Sequence, residues 1–159
     1  MFENLASLFS ALGLGYLVLT AWPLAKTDIL QRRLPNKFVL PAFPVTLLGQ
    51  VLAGIVSGIW WNMLWGTLAM LITFAISLGV NRMGFLGMGD VKLMSVMALA
   101  LGWYSAALPV IALLISFLFA GVVAICLVAI GKMKLGGSMP LGPYLLVGFF
   151  GAITVGAWS

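Results

Sequence analysis

The sequence predicts an all-α membrane protein built as a bundle of six transmembrane helices. Hydrophobic residues make up 64% of the 159-residue chain and charged residues only 7%, against about 25% in an ordinary soluble domain. A helix that crosses a bilayer needs about 20 apolar residues. The chain therefore has room for about six crossings joined by short loops. We expect residues 1–159 to form a single transmembrane domain with no separate soluble domain.

The first half of the chain accounts for three spans. The first is expected to remain in the membrane, because it lacks a basic segment before it and is too long for the hydrophobic part of a signal peptide. The apolar stretch 38–80 is far too long for one crossing at about 1.5 Å per residue. It must fold back, with a turn predicted at Gly58–Asn62. The predicted spans are Leu5–Leu24, Phe38–Ile59 and Met63–Val80.

The second half accounts for three more spans by the same reasoning. The stretch from Val91 to Ile130 is again too long, and Gly102–Pro109 divides it into spans four and five. Leu141–Trp158 is the sixth span. The first, third and fifth loops are polar, and they cover residues 26–37, Asn81–Asp90 and Gly131–Pro140.

The basic residues predict the orientation of this bundle. All eight Lys and Arg residues fall in the three polar loops or at their edges. The positive-inside rule then places three short basic loops in the cytoplasm and both termini outside. We expect a multi-pass protein of the cytoplasmic (inner) membrane. In so apolar a chain, we attribute the net charge of +5 to orientation in the membrane and to contact with membrane lipid. No nucleic-acid partner is expected.

Two aspartates are the candidate catalytic residues. Apart from Glu3, the only acidic residues are Asp28, after span one, and Asp90, before span four. The predicted topology puts both at the cytoplasmic boundary. Two carboxylates that share a site hold one proton between them, which is how aspartic proteases activate water. The chain has no histidine, so it offers no Ser–His or Cys–His nucleophile pair.

Structural roles for these aspartates remain open at this level. Asp90 is a suitable helix N-cap before Val91-Lys92-Leu93. Asp28 fits equally well as a solvated charge among basic residues.

A non-enzymatic transporter or channel subunit is the alternative function, although the interiors of four spans carry no charge for an ion path. With no histidine and a single cysteine, Cys126, no metal or cofactor is expected.

Three segments carry a resemblance to a known family. They are Asp28-Ile29-Leu30-Gln31-Arg32-Arg33-Leu34-Pro35-Asn36, Gly87-Met88-Gly89-Asp90-Val91-Lys92 and Pro140-Leu141-Gly142-Pro143-Tyr144. In this order they resemble the type IV prepilin peptidases, the membrane aspartic proteases with a GxGD motif. The resemblance covers nearly the whole chain. It favours the short, peptidase-only branch, similar to the enzymes of Flp/Tad pilus systems, without zinc or a methyltransferase domain.

The resemblance implies roles for nine residues. Asp28 and Asp90 would be the catalytic pair. Site-shaping or substrate-binding roles are expected for Gly87, Gly89, Lys92, Pro35, Asn36, Gly142 and Pro143. The two glycines before Asp90 would allow close approach of a substrate and hold an unusual turn. Lys92 would tune the pair, contact an acidic substrate side chain or anchor the span.

The resemblance also implies the substrate. It would be a prepilin or pilin-like precursor whose short basic leader is cut at the cytoplasmic face, just before its hydrophobic helix. Preflagellins and pseudopilins are alternative substrates for the same chemistry. The oligomeric state is left open, because small residues such as Gly49, Gly54 and Gly58 suit internal contacts as well as a dimer.

Overall fold

The fold is helical throughout the described part of the chain. The computed structural model describes residues 2–132 and 139–158. The helices are α1 (Phe2–Ser10), α2 (Leu12–Gln31), α3 (Asn36–Ser57), α4 (Trp61–Arg82), α5 (Met88–Gly102), α6 (Ala107–Ala129) and α7 (Gly142–Trp158). Backbone hydrogen bonds continue through Ala11, which separates α1 from α2. These two segments therefore form one helix of 29 residues, Glu3–Gln31.

Within residues 2–132 and 139–158, four helices are long and apolar enough to cross a membrane, which indicates a multi-pass membrane protein. They are Glu3–Gln31, Asn36–Ser57, Trp61–Arg82 and Ala107–Ala129. The predicted all-helical class is confirmed. By contrast, α7 has 17 residues and α5 only 15, which is less than the roughly 20 that a straight crossing needs. The six crossings and the outside position of both termini stay predictions.

The short helix α5 lies at the centre of the bundle. It packs against α2, α3, α4, α6 and α7, and every residue from Val91 to Gly102 except Lys92 is buried. A helix that is apolar all round is stable only when its whole circumference is covered. This enclosure fixes the first turn of α5, which carries Asp90, at one end of the bundle.

Glycines allow the closest approach between helices. A Cβ atom on Gly102 would lie 2.8 Å from the Cα of Gly66, so the backbones of α4 and α5 nearly touch. A Cβ on Gly49 would collide with the carbonyl oxygen of Phe9, and one on Gly54 would lie 3.1 Å from the Trp60 ring. Gly49 and Gly54 therefore serve contacts within the chain.

Two predicted boundaries were wrong near the aspartates. The first helix continues past Leu24 to Gln31, so Asp28 lies in its last turn and not in a loop. It ends where Arg32 adopts a left-handed conformation and donates its N–H to the Asp28 carbonyl, because helix ends are set by capping as well as by hydrophobicity. Likewise Gly87 is the N-cap of α5, so the N-cap role considered for Asp90 was wrong.

Part of the third predicted basic loop cannot be compared with the structure. Of its two lysines, Lys132 is described, and Lys134 lies outside the described residues. Met1 and Ser159 also lie outside them.

Candidate active site

Three helix ends surround a polar cavity at one end of the bundle. The cavity has a volume of about 340 Å³. It lies between the end of α2, the loop that follows it and the first turns of α3 and α5. Six of the nine residues expected at the site line it: Asp28, Asn36, Gly87, Gly89, Asp90 and Lys92. Both candidate carboxylates therefore belong to one cavity.

Asp28 is held by the N-terminus of α7. Its side chain is only 4% exposed, and its Oδ2 accepts a hydrogen bond of 2.8 Å from the Gly142 N–H. Gly142 is the first residue of α7, where backbone N–H groups lack partners within the helix and the helix dipole favours an anion. A Cβ on Gly142 would lie 2.8 Å from Oδ2. The glycine therefore lets the carboxylate reach the backbone.

Asp90 is the third residue of α5 and reaches back to the start of its own helix. Its carboxylate accepts a hydrogen bond from the N–H of Gly87, the N-cap residue, as the acidic residue of a capping box does. Burial and the nearby charge of Asp28 raise the pKa of Asp90 from 3.8 to about 6, and the Gly87 hydrogen bond opposes the rise. The two carboxylates are thus electrostatically coupled.

This raised pKa predicts that Asp90→Asn stabilises the fold at neutral pH. Below pH 4 the carboxyl is neutral in the folded and unfolded chain, so it carries no penalty. As the pH rises to about 6 the unfolded chain ionises first, and folding stability is lost. The full loss is up to about 3 kcal/mol, and asparagine avoids it. Thermal unfolding in detergent should give the variant a higher Tm at pH 7.5 and an equal Tm near pH 4. A pH-independent difference would contradict the assignment.

The glycines before Asp90 provide space. Gly87 has φ −74°, which any residue adopts. The expectation of an unusual turn at this position was therefore wrong. A Cβ on Gly87 would lie 2.9 Å from Asp90 Oδ2, and one on Gly89 would lie 2.8 Å from the Cβ of Leu34. The two glycines therefore admit the Asp90 carboxylate and the α2–α3 loop. The positive φ in this segment belongs to Gly84, at 83°.

The remaining expected residues connect helix ends around the cavity. Lys92 Nζ donates a hydrogen bond of 3.1 Å to Asn36 Oδ1 and so joins α5 to the first residue of α3. Pro35 is the N-cap of α3. Pro143 follows Gly142 and lines a separate apolar groove between α2 and α7. Pro35, Gly142 and Pro143 thus lie beside the cavity and are not among the residues that line it.

Four further residues line the cavity that the sequence reasoning did not single out as site residues. They are Arg32, Arg33, Leu34 and Met88. Leu34 is the most informative, because it is buried and its side chain lies close to both Gly89 and Gly142. Its signal in the sequence was an apolar residue between the two arginines and Pro35-Asn36. The two arginines had been interpreted as determinants of topology.

The model of the type IV leader peptidase family matches residues 9–130. The chain belongs to this family. The matched region of the leader peptidase contains both aspartates and ends before α7, so Gly142 and Pro143 lie beyond it. No curated protein and no solved structure gives a significant match. Membership of a peptidase family favours an enzyme over a transporter or channel subunit.

Proposed function

We propose that this leader peptidase is an aspartic endopeptidase that removes the short basic leader of type IV (Flp-type) prepilins at the cytoplasmic face. The observation that carries the proposal is the pair of coupled carboxylates, Asp28 and Asp90, that line one cavity. Two carboxylates that share one proton supply both a base and an acid without a covalent intermediate. The family match supports the class of reaction.

In the proposed mechanism the proton resides on Asp90, because burial and the charge of Asp28 raise its pKa to about 6. Ionised Asp28 takes a proton from water, and the water oxygen bonds to the carbonyl carbon of the scissile peptide. Asp90 gives its proton to the carbonyl oxygen, which produces a neutral tetrahedral diol. Asp28 then protonates the departing nitrogen as the C–N bond breaks. Asp90 recovers a proton from the diol hydroxyl, and the pair returns to its starting state.

The charge distribution supports a cytoplasmic location for the cleavage. Arg32, Arg33 and Lys92 line the same cavity as the aspartates, and Arg82 ends α4 shortly before the Asp90 segment. By the positive-inside rule, this end of the bundle belongs in the cytoplasm. A leader on that side would meet the carboxylates where its hydrophobic helix enters the membrane.

Co-expression with candidate precursors tests the proposal. Membranes that contain the peptidase and an Flp-type prepilin should yield a precursor shortened by its leader, measured by intact mass and N-terminal sequencing. Membranes without the peptidase are the control. Preflagellins and pseudopilins tested in parallel would identify the preferred substrate. Failure to shorten any of these precursors would contradict the proposed function.

The raised pKa of Asp90 predicts the pH dependence of cleavage. Because Asp90 acts as the acid, the active form of the free enzyme is lost as the pH rises through about 6. A plot of kcat/KM against pH reports groups of the free enzyme. It should fall about tenfold per pH unit above an apparent pKa near 6. A value that stays constant from pH 5 to 8 would contradict this assignment of the proton.

A further inference from the structure

An apolar groove of about 350 Å³ lies between α2 and α7. Its α2 wall consists of Val18, Ala21, Trp22 and Ala25. Trp22 projects outward and is 79% exposed, whereas Ala21 is buried at the floor. The small alanines create the depression, and the indole forms its rim.

The α7 wall has a matching pattern. It consists of Pro143, Leu146, Val147 and Phe150, which are spaced three and four residues apart and so share one helix face. Leu146 is buried, whereas Val147 and Phe150 are partly exposed. Among the residues that the structure describes, no charged side chain lines either wall.

Both walls lead to the candidate active site. On α2, Val18, Ala21, Ala25 and Asp28 form one stripe at spacings of three, four and three residues, which rises about 15 Å along the helix. On α7, Pro143 directly follows Gly142. The groove therefore ends where the Gly142 N–H donates to the Asp28 carboxylate. Beyond Asp28 lies the polar cavity with Asp90.

We propose that this α2–α7 groove binds the apolar helix of the substrate that follows the scissile bond. This inference rests on the proposed function, since it takes the substrate to be a precursor with a hydrophobic helix after its leader. Asp28 lines the polar cavity, and the apolar groove ends one helical turn away from it, at Ala25. A peptide that crosses Asp28 places its polar leader in the cavity and its apolar helix along the groove. Two to three turns of that helix match the stripe of about 15 Å.

The proposed role of the groove can be tested by replacing one of its small floor residues with a large one. Ala25→Phe adds a ring one helical turn from Asp28 and fills the groove at its active-site end. Cleavage of a full-length precursor should fall at least tenfold more in kcat/KM than cleavage of a truncated precursor that keeps only the first few residues after the scissile bond. The loss should lie mainly in KM. The matched control is Ala75→Phe, at an exposed position on α4, which should leave the ratio between the two substrates unchanged.

A crosslinking experiment tests occupancy directly. A photoreactive p-benzoylphenylalanine in place of Trp22, in an Asp90→Asn background, should crosslink to the full-length precursor. The same probe in place of Ile76 on α4, which is 65% exposed, should not. Crosslinks from Trp22 only to lipid or to a second peptidase, or equal losses for both substrates with Ala25→Phe, would overturn the groove assignment. Wild-type enzyme that cleaves neither substrate would instead contradict the proposed function.

Discussion

Asp28→Asn and Asp90→Asn are each expected to abolish leader removal while the protein still inserts and accumulates. Each substitution removes one half of the proposed acid–base pair, and general acid–base catalysis contributes about 10²–10⁴-fold. Asparagine keeps the volume of the side chain. Its amide oxygen still accepts the N–H of Gly142 or Gly87, so the hydrogen bonds at the starts of α7 and α5 are preserved.

The measurement is the rate of precursor shortening in membranes with matched amounts of each variant. Glu3→Gln is the matched control, because Glu3 is the third acidic residue of the chain and is exposed in the first turn of α1. It should cleave at the wild-type rate. Cleavage retained by either aspartate variant would refute the catalytic pair.

Gly142→Ala should lower kcat by about 10²-fold with a smaller effect on KM. The added Cβ would lie 2.8 Å from Asp28 Oδ2 and 3.1 Å from its Cγ, so the carboxylate must move away from the N-terminus of α7. Misplacement of a reacting group by about 1 Å can cost about 10²-fold in rate. Steady-state kinetics on a full-length precursor measure the change.

The control for this change is Gly121→Ala. Gly121 lies in α6, and a Cβ there would meet nothing within 4 Å. Alanine stabilises a helix interior by roughly 0.5–1 kcal/mol over glycine, so this variant should keep full activity with an equal or higher Tm. If Gly142→Ala lowered the Tm and left kcat intact, Gly142 would be a packing residue only.

The sequence was sufficient to predict the helical class and to select the two aspartates as candidate site residues. Composition and segment length require a membrane bundle, and scarce acidic residues in an apolar chain are conspicuous. The structure adds contacts between distant parts of the chain. The Gly142–Asp28 hydrogen bond joins residues 114 positions apart, and no local periodicity encodes it. The resemblance predicted a site-shaping or substrate-binding role for Gly142, but it did not predict that the Gly142 N–H donates a hydrogen bond to the Asp28 carboxylate.

Element boundaries were harder to predict than element type. The segment 25–31 contains Lys26 and Asp28, so a hydrophobicity argument ends the helix before it, whereas the helix continues to Gln31. For α5, the pattern gave a membrane span because its residues are apolar. In the structure most of its surface is covered by other helices, which an apolar pattern alone does not distinguish from contact with lipid.

The central position of α5 means that the two aspartates of the candidate active site lie on helices that are enclosed to different degrees. Asp90 is carried by a helix that touches five others, so it cannot shift without disturbing most of the core. Asp28 and Gly142 belong to α2 and α7, whose faces on the groove side are partly open. The α2–α7 side of the candidate site is therefore expected to yield to a substrate more readily than the helix that carries Asp90.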